Sequence, residues 1–266
     1  CDEISHRRQQ LVAAMIGVHR GLGTWTKMVD RYIAISQFAR DKLVEGGVPA
    51  DKVVVKPNFV YADPGVGSGQ GGYALFVGRL GPEKGLHTLL AAWERLRVPI
   101  PLKIVGEGPL EDEVRRLCQK LPQVEWLGRK PLAEVYQLMG EAMFLVFPSE
   151  WYETFGRVAV EAFATGTPVV AARIGAITEL VDPKRTGRLF EPGNAADLAQ
   201  QVDELLARPE VLAQMRTLAR QEFEAKYTDR ANYQQLIEVY QPLVRSIELQ
   251  DEEHFKKYHK QPLPKL

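Results

Sequence analysis

From Tyr73 to Pro192 short apolar runs alternate with amphipathic stretches, and each run ends in glycine, proline or a polar turn. The runs are YALFV (73–77), LKIV (102–105), VEWL (124–127), MFLVF (143–147), PVVA (168–171) and GRLF (187–190). Several are apolar throughout rather than alternating, the pattern of strands buried on both faces of a parallel sheet covered by helices. Between them the periodicity predicts helices at about 85–97, 110–120, 132–140, 156–165 and 175–181. Right-handed crossovers then make a doubly wound α/β layer of the Rossmann-like kind.

Upstream, RYIAIS (31–36), a helix near 37–46 and KVVVKPN (52–58) read as the last βαβ unit of a preceding domain. The glycines and lone proline of ADPGVGSGQGG (62–72) support neither helix nor strand, so the domain boundary is expected in this flexible connection. After Asp197 the pattern is helical almost to the end, near 195–207, 209–226 and 229–248. The segment DEEHFKKYHKQPLPKL (251–266) is polar and broken by prolines, which predicts a partly ordered tail.

Composition narrows the partners. The 266 residues, 45% hydrophobic, are enough for one large domain or for one domain and part of another. The 34 basic residues equal the 34 acidic ones, so no bulk field favours nucleic acid or an anionic membrane. An anion has to be gripped locally. Cys1 and Cys118 match no metal-ligand or disulfide framework, and a reducing cytoplasm fits best. The five histidines are scattered without a partner pattern, and no metal is expected. No apolar run approaches the roughly 20 residues of a membrane span. The first residue is Cys1 rather than Met, from which a missing N-terminal part is expected.

In a doubly wound sheet, ligands bind at the carboxyl ends of the strands, so the residues after each run carry the candidate chemistry. In VGRLGPEKG (77–85), Gly78 shapes a turn that presents Arg79 and Lys84 in one short loop. A bidentate guanidinium and a mobile ammonium together suit a diphosphate, although a solvated basic turn has the same sequence. VGEGP (105–109) flanks a turn with Gly106 and Gly108 before Pro109, letting the backbone approach a ligand. LGRKP (127–131) puts the backbone around Lys130 where the edge of a base could lie, and a plain βα loop reads alike.

The segment FPSEWYETFGRVAVEAFATGTPVVA (147–171) says most. It sets Glu153 near a helix start and Glu161 eight residues later. At about 1.5 Å per residue that is roughly 12 Å along an axis, a span that suits two ends of one extended ligand better than a paired acid and base. One carboxylate can take sugar hydroxyls, the other a ribose diol, and amides around Thr154, Phe155 and Gly156 can meet a phosphate between them. The alternative is a carboxylate that complements the helix dipole and a second that is buried and satisfied.

Together these segments resemble the retaining glycosyltransferases of GT-B architecture, in the large group called family 4 with glycogen-synthase-like and mannosyltransferase-like members. The resemblance also runs through GAITEL (175–180), TGRLFEPGN (186–194) and DRYIAISQFARDKLVEGGVPADKVVVKPNFV (30–60). It implies a donor domain over 73–228 and a remnant of the acceptor-side domain over 1–61. The stretch 62–72 would be the linker, 229–250 a helix crossing back to the first domain, and 251–266 the tail. It further implies that Arg79 and Lys84 bind the donor diphosphate, that Glu153 faces the transferred sugar and Glu161 the ribose, and that backbone near Lys130 meets the base.

Such an enzyme needs a nucleoside diphosphate sugar and no metal, and delivers the sugar to an acceptor hydroxyl, lipid-linked acceptors included. It is expected in cell-surface glycan or glycolipid synthesis, in the cytoplasm or at the inner membrane face, with peripheral membrane contact and no nucleic acid. The acceptor-side glycine-rich loop of the family has no counterpart here, which keeps open a non-catalytic module that binds a nucleotide or a partner. A dinucleotide-binding dehydrogenase is disfavoured, because no G-x-G-x-x-G follows a first strand.

Overall fold

A computed structural model describes the backbone of residues 2–258, with side chains at 9–244. The chain divides into two compact units, one built from 1–34, 40–56 and 233–266, the other from 35–39 and 57–232.

In the first unit, β1 (Tyr32–Ala34) and β2 (Val53–Val55) form a parallel pair in the register Tyr32 to Val53. The intervening helix α3 (Gln37–Glu45) makes this the βαβ unit expected from the sequence. Ahead of it lie α1 (Asp2–Gly21) and the short α2 (Thr24–Lys27). No element was expected before residue 31, because the apolar residues of α1 fall almost consecutively and show no clean helical period. They remain exposed, Leu11 at 70% and Val18 at 60%.

The second unit is a six-stranded, fully parallel sheet. Its strands are β3 (Ala74–Val77), β4 (Leu102–Val105), β5 (Val124–Gly128), β6 (Phe144–Phe147), β7 (Val169–Ala172) and β8 (Gly187–Phe190). The spatial order β5-β4-β3-β6-β7-β8 reverses direction between β3 and β6, which is the doubly wound order with its switch point there. This is the α/β, Rossmann-like doubly wound sheet expected from the sequence.

Helices cover both faces, and side-chain alternation decides which face each strand residue serves. Ala74, Phe76, Ile104, Phe144, Val146 and Val170 are buried on one side against α4 (Leu86–Trp93), α5 (Glu111–Lys120) and α9 (Ala195–Leu206). Leu75, Val105, Leu145, Val169 and Ala171 face the other core, against α6 (Leu132–Glu141), α7 (Arg157–Ala164), α8 (Ile177–Leu180) and α10 (Pro209–Lys226). Both faces being dry explains why these runs lack alternating polarity.

Local chemistry fixes several ends. Asn194 Oδ1 accepts from the amides of Ala196 (3.1 Å) and Asp197 (3.0 Å) to cap α9. Pro209 opens α10. Three acids in the first turn of α5 complement its dipole. The last helix, α11 (Asp229–Tyr258), runs ten residues past the end expected near 248. The tail expected over 251–266 is therefore helical to Tyr258, and residues 259–266 lie outside those described, as does Cys1. Cys118 is a free thiol, and burial pushes its pKa up.

The division between units falls after Lys56 rather than within 62–72. The glycine-rich stretch is hydrogen-bonded along the second unit. Gly67 N donates to Thr165 O at 3.0 Å, Gly69 N to Gly140 O at 2.9 Å and Gly71 N to Glu141 O at 2.9 Å. A Cβ on Gly67 would lie 2.1 Å from the Cα of Gly140, so two glycines let two backbones touch. Arg216 from α10 secures the contact, donating to the carbonyls of Ala142 (2.9 Å), Gly67 (3.0 Å) and Gly140 (3.1 Å).

Candidate functional site

Three hollows of about 300, 530 and 570 Å³ share walls along the carboxyl ends of β3, β4, β5 and β6. All three meet at Val77, and the first two also at Gly78 and Arg79, beside the switch point. The first is lined by Arg79, Lys84, Ser149, Glu153, Gly156 and Arg157, among others. The second adds Gly106, Gly108, Arg129 and Lys130, and the third carries Lys130 on to Glu161. Nine of the twelve residues singled out in the sequence therefore line one groove.

Glycines shape its walls by admitting backbone to backbone. At Gly106, with φ +144°, a Cβ would sit 1.8 Å from Gly78 O, and at Gly108 one would sit 2.7 Å from Leu80 O. The loops after β3 and β4 are joined by Gly78 N to Val105 O, Leu80 N to Glu107 O and Leu110 N to Leu80 O, each at 3.0 Å. The close approach expected of these glycines toward a ligand is thus made first toward the neighbouring loop. A register shift between Ile104 and Val105 brings Gly128 O to the amide of Gly106 at 2.9 Å, and this carries Arg129 and Lys130 to the rim.

At the centre, Lys84 Nζ is ion-paired with Glu153 Oε1, both side chains about one quarter exposed. Ser149 Oγ, on a residue only 2% exposed, stands 3.2 Å from the same oxygen and equally far from Glu83 O. Trp151 O lies 3.3 Å away as well, and the hydroxyl donates to one of the three at a time. Arg79 is two thirds exposed, with Nη1 3.6 Å from Glu83, and Lys130 stands 3.6 Å from Glu134.

The helix α7 begins at Arg157, two residues later than Phe155, because Gly156 occupies the left-handed N-cap with φ 93°. No side chain caps this end, so its first amides face the groove that Gly156 lines. Glu153 precedes the helix by four residues, and the distance along a helix axis expected between Glu153 and Glu161 does not apply. Glu161 is 7% exposed and accepts from Arg157 Nε at 2.9 Å. Burial raises its pKa, and the Arg157 guanidinium opposes that rise. Burial and the Glu161 charge together push the Tyr136 phenol up.

Three expected residues lie elsewhere. Pro109 is exposed and outside the hollows. Thr154 is exposed and holds the loop through its carbonyl, which accepts from Ser36 Oγ at 2.7 Å. Phe155 is 4% exposed and edge-on to Tyr227 at 6.2 Å, an anchor of the core. Conversely, Ser149, Arg157 and Arg129 line the groove and were not singled out. The signal for Arg157 was available, since it stands four residues before Glu161 on one helix, where side chains meet.

Among the described residues no group of three or more His, Cys, Asp or Glu could hold a metal ion. No helix of the described residues is long and apolar enough to cross a membrane.

Known proteins resemble this chain in sequence and in fold. The chain is 33% identical over 184 residues to an uncharacterised glycosyltransferase of Methanocaldococcus jannaschii, spanning 68% of this chain and 51% of that one. It is 37% identical over 159 residues to the glycogen synthase of Mycobacterium tuberculosis, 58% of this chain and 38% of that one. It therefore spans about half or less of the length of these relatives. Among solved structures, Anabaena HepE in complex with UDP superposes with a TM-score of 0.74 at 25% identity, over 80% of this chain and 64% of that one. The family model of the glycosyl transferases group 1 matches residues 67–222, more than half of the chain and the whole of the groove, and the chain belongs to that family.

Proposed function

We propose that the chain carries the donor site of a retaining glycosyltransferase, which moves a sugar from a nucleoside diphosphate sugar to an acceptor hydroxyl. The observation that carries this reading is the convergence of Arg79, Lys84, Glu153 and Glu161 on hollows that share walls at the switch point. Each of the three hollows is in the range of small-molecule sites, roughly 300–1,000 Å³. The base lies along the rim near Lys130, the ribose diol meets Glu161, the diphosphate meets Arg79, Lys84 and the amides of α7, and the sugar meets Glu153.

As the bond between the sugar's anomeric carbon and the diphosphate breaks, negative charge grows on the departing oxygens. Preorganised cations and amides aimed there act most strongly on that charge, and removing one such donor typically lowers turnover by about 10²–10³. The acceptor hydroxyl forms the new bond to the anomeric carbon on the face the leaving group vacated and passes its proton to the departing diphosphate oxygen, which retains configuration. No metal is required by this arrangement. Residues 73–228 are the donor-binding domain in this reading, residues 1–61 the end of the acceptor-side domain. Cell-surface glycan or glycolipid synthesis, with a sugar or lipid-linked acceptor at the inner membrane face, is the setting this chemistry fits.

The test is calorimetric titration with UDP, GDP and ADP in EDTA, on the parent chain and on Arg79→Ala, Lys84→Ala and Glu161→Ala. One nucleotide is expected to bind selectively and each change to weaken it by about tenfold or more. Binding of none, or binding indifferent to all three changes, would remove the donor site.

A further inference from the structure

Residues 35–39 belong to the same compact unit as the groove, and they lie against the loop that carries Glu153. Ser36, 6% exposed, donates its hydroxyl to Thr154 O at 2.7 Å and accepts from Ala39 N at 3.0 Å. One side chain thus caps the first turn of α3 and ties that turn to the residue next to Glu153. On the other side, Ala176 N donates to Glu153 O at 3.0 Å. A Cβ on Gly175 would lie 2.9 Å from the same oxygen, so the start of α8 is flush against the Glu153 backbone.

Glu179 of α8 closes the ring. Its carboxylate accepts from Gln37 N at 2.8 Å and from Phe38 N, where negative charge is favoured by the helix dipole. Phe38 in turn stacks on Tyr152, with centroids 5.5 Å apart and planes 21° apart. Residues 152, 153 and 154 are therefore each anchored once, by Phe38, Ala176 and Ser36. Two of these three anchors belong to a turn that Glu179 holds.

The first turn of α3 has several amides without intrahelical partners; Ser36 takes that of Ala39, and Glu179, 142 positions from Gln37, takes those of Gln37 and Phe38. The Glu179 cap also ties residues 37 and 38 to α8, with the backbone of the Glu153 loop held between Ser36 and Ala176. Lys84 and Ser149 hold the tip of Glu153, while this ring holds its backbone. Recognition groups need placement to within about 0.5 Å, and a carboxylate on a loop gains that only from its supports.

We propose that Ser36 and Glu179 are positioning residues for Glu153, setting its carboxylate for the sugar half of the donor while leaving the nucleotide half untouched. This rests on the reading of Glu153 as the residue that faces the sugar. It separates two quantities that a general loosening of the fold would move together, affinity for the nucleotide and affinity for the nucleotide sugar.

The experiment measures dissociation constants for the pairs UDP and UDP-glucose, GDP and GDP-glucose, and ADP and ADP-glucose. The parent chain is compared with Glu153→Gln, Ser36→Ala, Ser36→Thr and Glu179→Gln, each checked for a cooperative melt. For the pair that binds, Ser36→Ala is expected to weaken the sugar nucleotide by about fivefold, the worth of roughly one hydrogen bond. Nucleotide affinity should stay within about twofold of the parent. Glu179→Gln should follow, and Ser36→Thr, which keeps the hydroxyl, should restore the parent ratio. If Ser36→Ala fails to fold, Glu179→Gln carries the comparison.

An unchanged ratio in Ser36→Ala and Glu179→Gln, while Glu153→Gln shifts it, overturns the positioning role alone. A ratio that Glu153→Gln itself leaves unchanged, or no binding of any pair to the parent, overturns the reading of Glu153 and the positioning role with it.

Discussion

Replacing Glu161 by glutamine should stabilise the protein while weakening its grip on nucleotide. The carboxylate is 7% exposed and has acceptor sites for about four donors, yet Arg157 Nε at 2.9 Å is the hydrogen bond it accepts among the described residues. A buried group short of partners forfeits roughly 1–3 kcal/mol. The pairing with Arg157, whose side chain is 63% exposed, returns only about 0.3–0.5 kcal/mol. A neutral amide of the same shape avoids most of the first and loses the second. The net gain is about 1 kcal/mol, or roughly 2–4 °C in a unit of this size.

Linkage supplies the control. Burial raises the Glu161 pKa above its ordinary value of 4.5, so the native state keeps a proton that the unfolded chain has already lost. Stability from this residue is full below 4.5 and falls as pH rises through the folded value. Glu161→Gln has no such titration. Its advantage should be present in thermal melts at about pH 7.5 and fade toward about pH 4. Saturating nucleotide should raise the melting temperature of the parent more than that of the variant. A variant that melts below the parent at neutral pH, or one whose advantage is the same at both pH values, would refute the account of Glu161 as an under-satisfied buried charge.

Two further changes test the scaffold. Arg216→Ala removes the donors to three carbonyls, those of Ala142, Gly67 and Gly140, and should cost about 2–4 kcal/mol in a denaturant titration. A midpoint within error of the parent would show that the glycine-rich stretch holds without it. Gly106→Ala places a Cβ 1.8 Å from Gly78 O at a φ of +144°, so the two groove loops must part. Nucleotide affinity should fall by about tenfold or more, and an unchanged dissociation constant would mean that the loops carry no ligand contacts.

The sheet could be read from the sequence because each strand sits between two helical layers. The runs of 73–77 and 143–147 are apolar on both alternating positions, and the structure buries Leu75 against one core and Phe76 against the other. The groove followed from the sheet, since Arg79, Lys84 and Glu153 come directly after strands. What stayed hidden depends on contacts between distant residues. Phe155 and Gly156 are neighbours in sequence and both buried, but one is locked under Tyr227 and the other lines the groove. Only the turn into α7 decides which is which. The glycines of 62–72 suggested freedom. Their partners, Gly140, Glu141 and Arg216, are about 70 to 150 residues away, and no local pattern announces them. The helix α1 was missed for a different reason, because its apolar residues fall almost consecutively and show no face, and Leu11, Val12, Met15, Ile16 and Val18 are exposed.

A chain with equal numbers of acidic and basic residues can still bind a diphosphate if its cations are cheap to release. Around the groove each has an acid beside it: Arg79 with Glu83 at 3.6 Å, Lys130 with Glu134 at 3.6 Å, Arg129 with Glu107 at 3.1 Å. Exposed pairs of this sort are worth roughly 0–1 kcal/mol. A phosphate that offers bidentate, charge-assisted hydrogen bonds outbids them, while the acids keep the empty groove from repelling itself. The Lys84–Glu153 pair is different, being largely covered and held at Ser149. In the proposed reading a donor phosphate would share Lys84 with a carboxylate that stays in place, and the pair would set the distance between diphosphate and sugar. In that reading the exposed Arg79 and Arg129 would swing to the ligand while the covered Lys84–Glu153 pair stays put, which divides capture from alignment within a single groove.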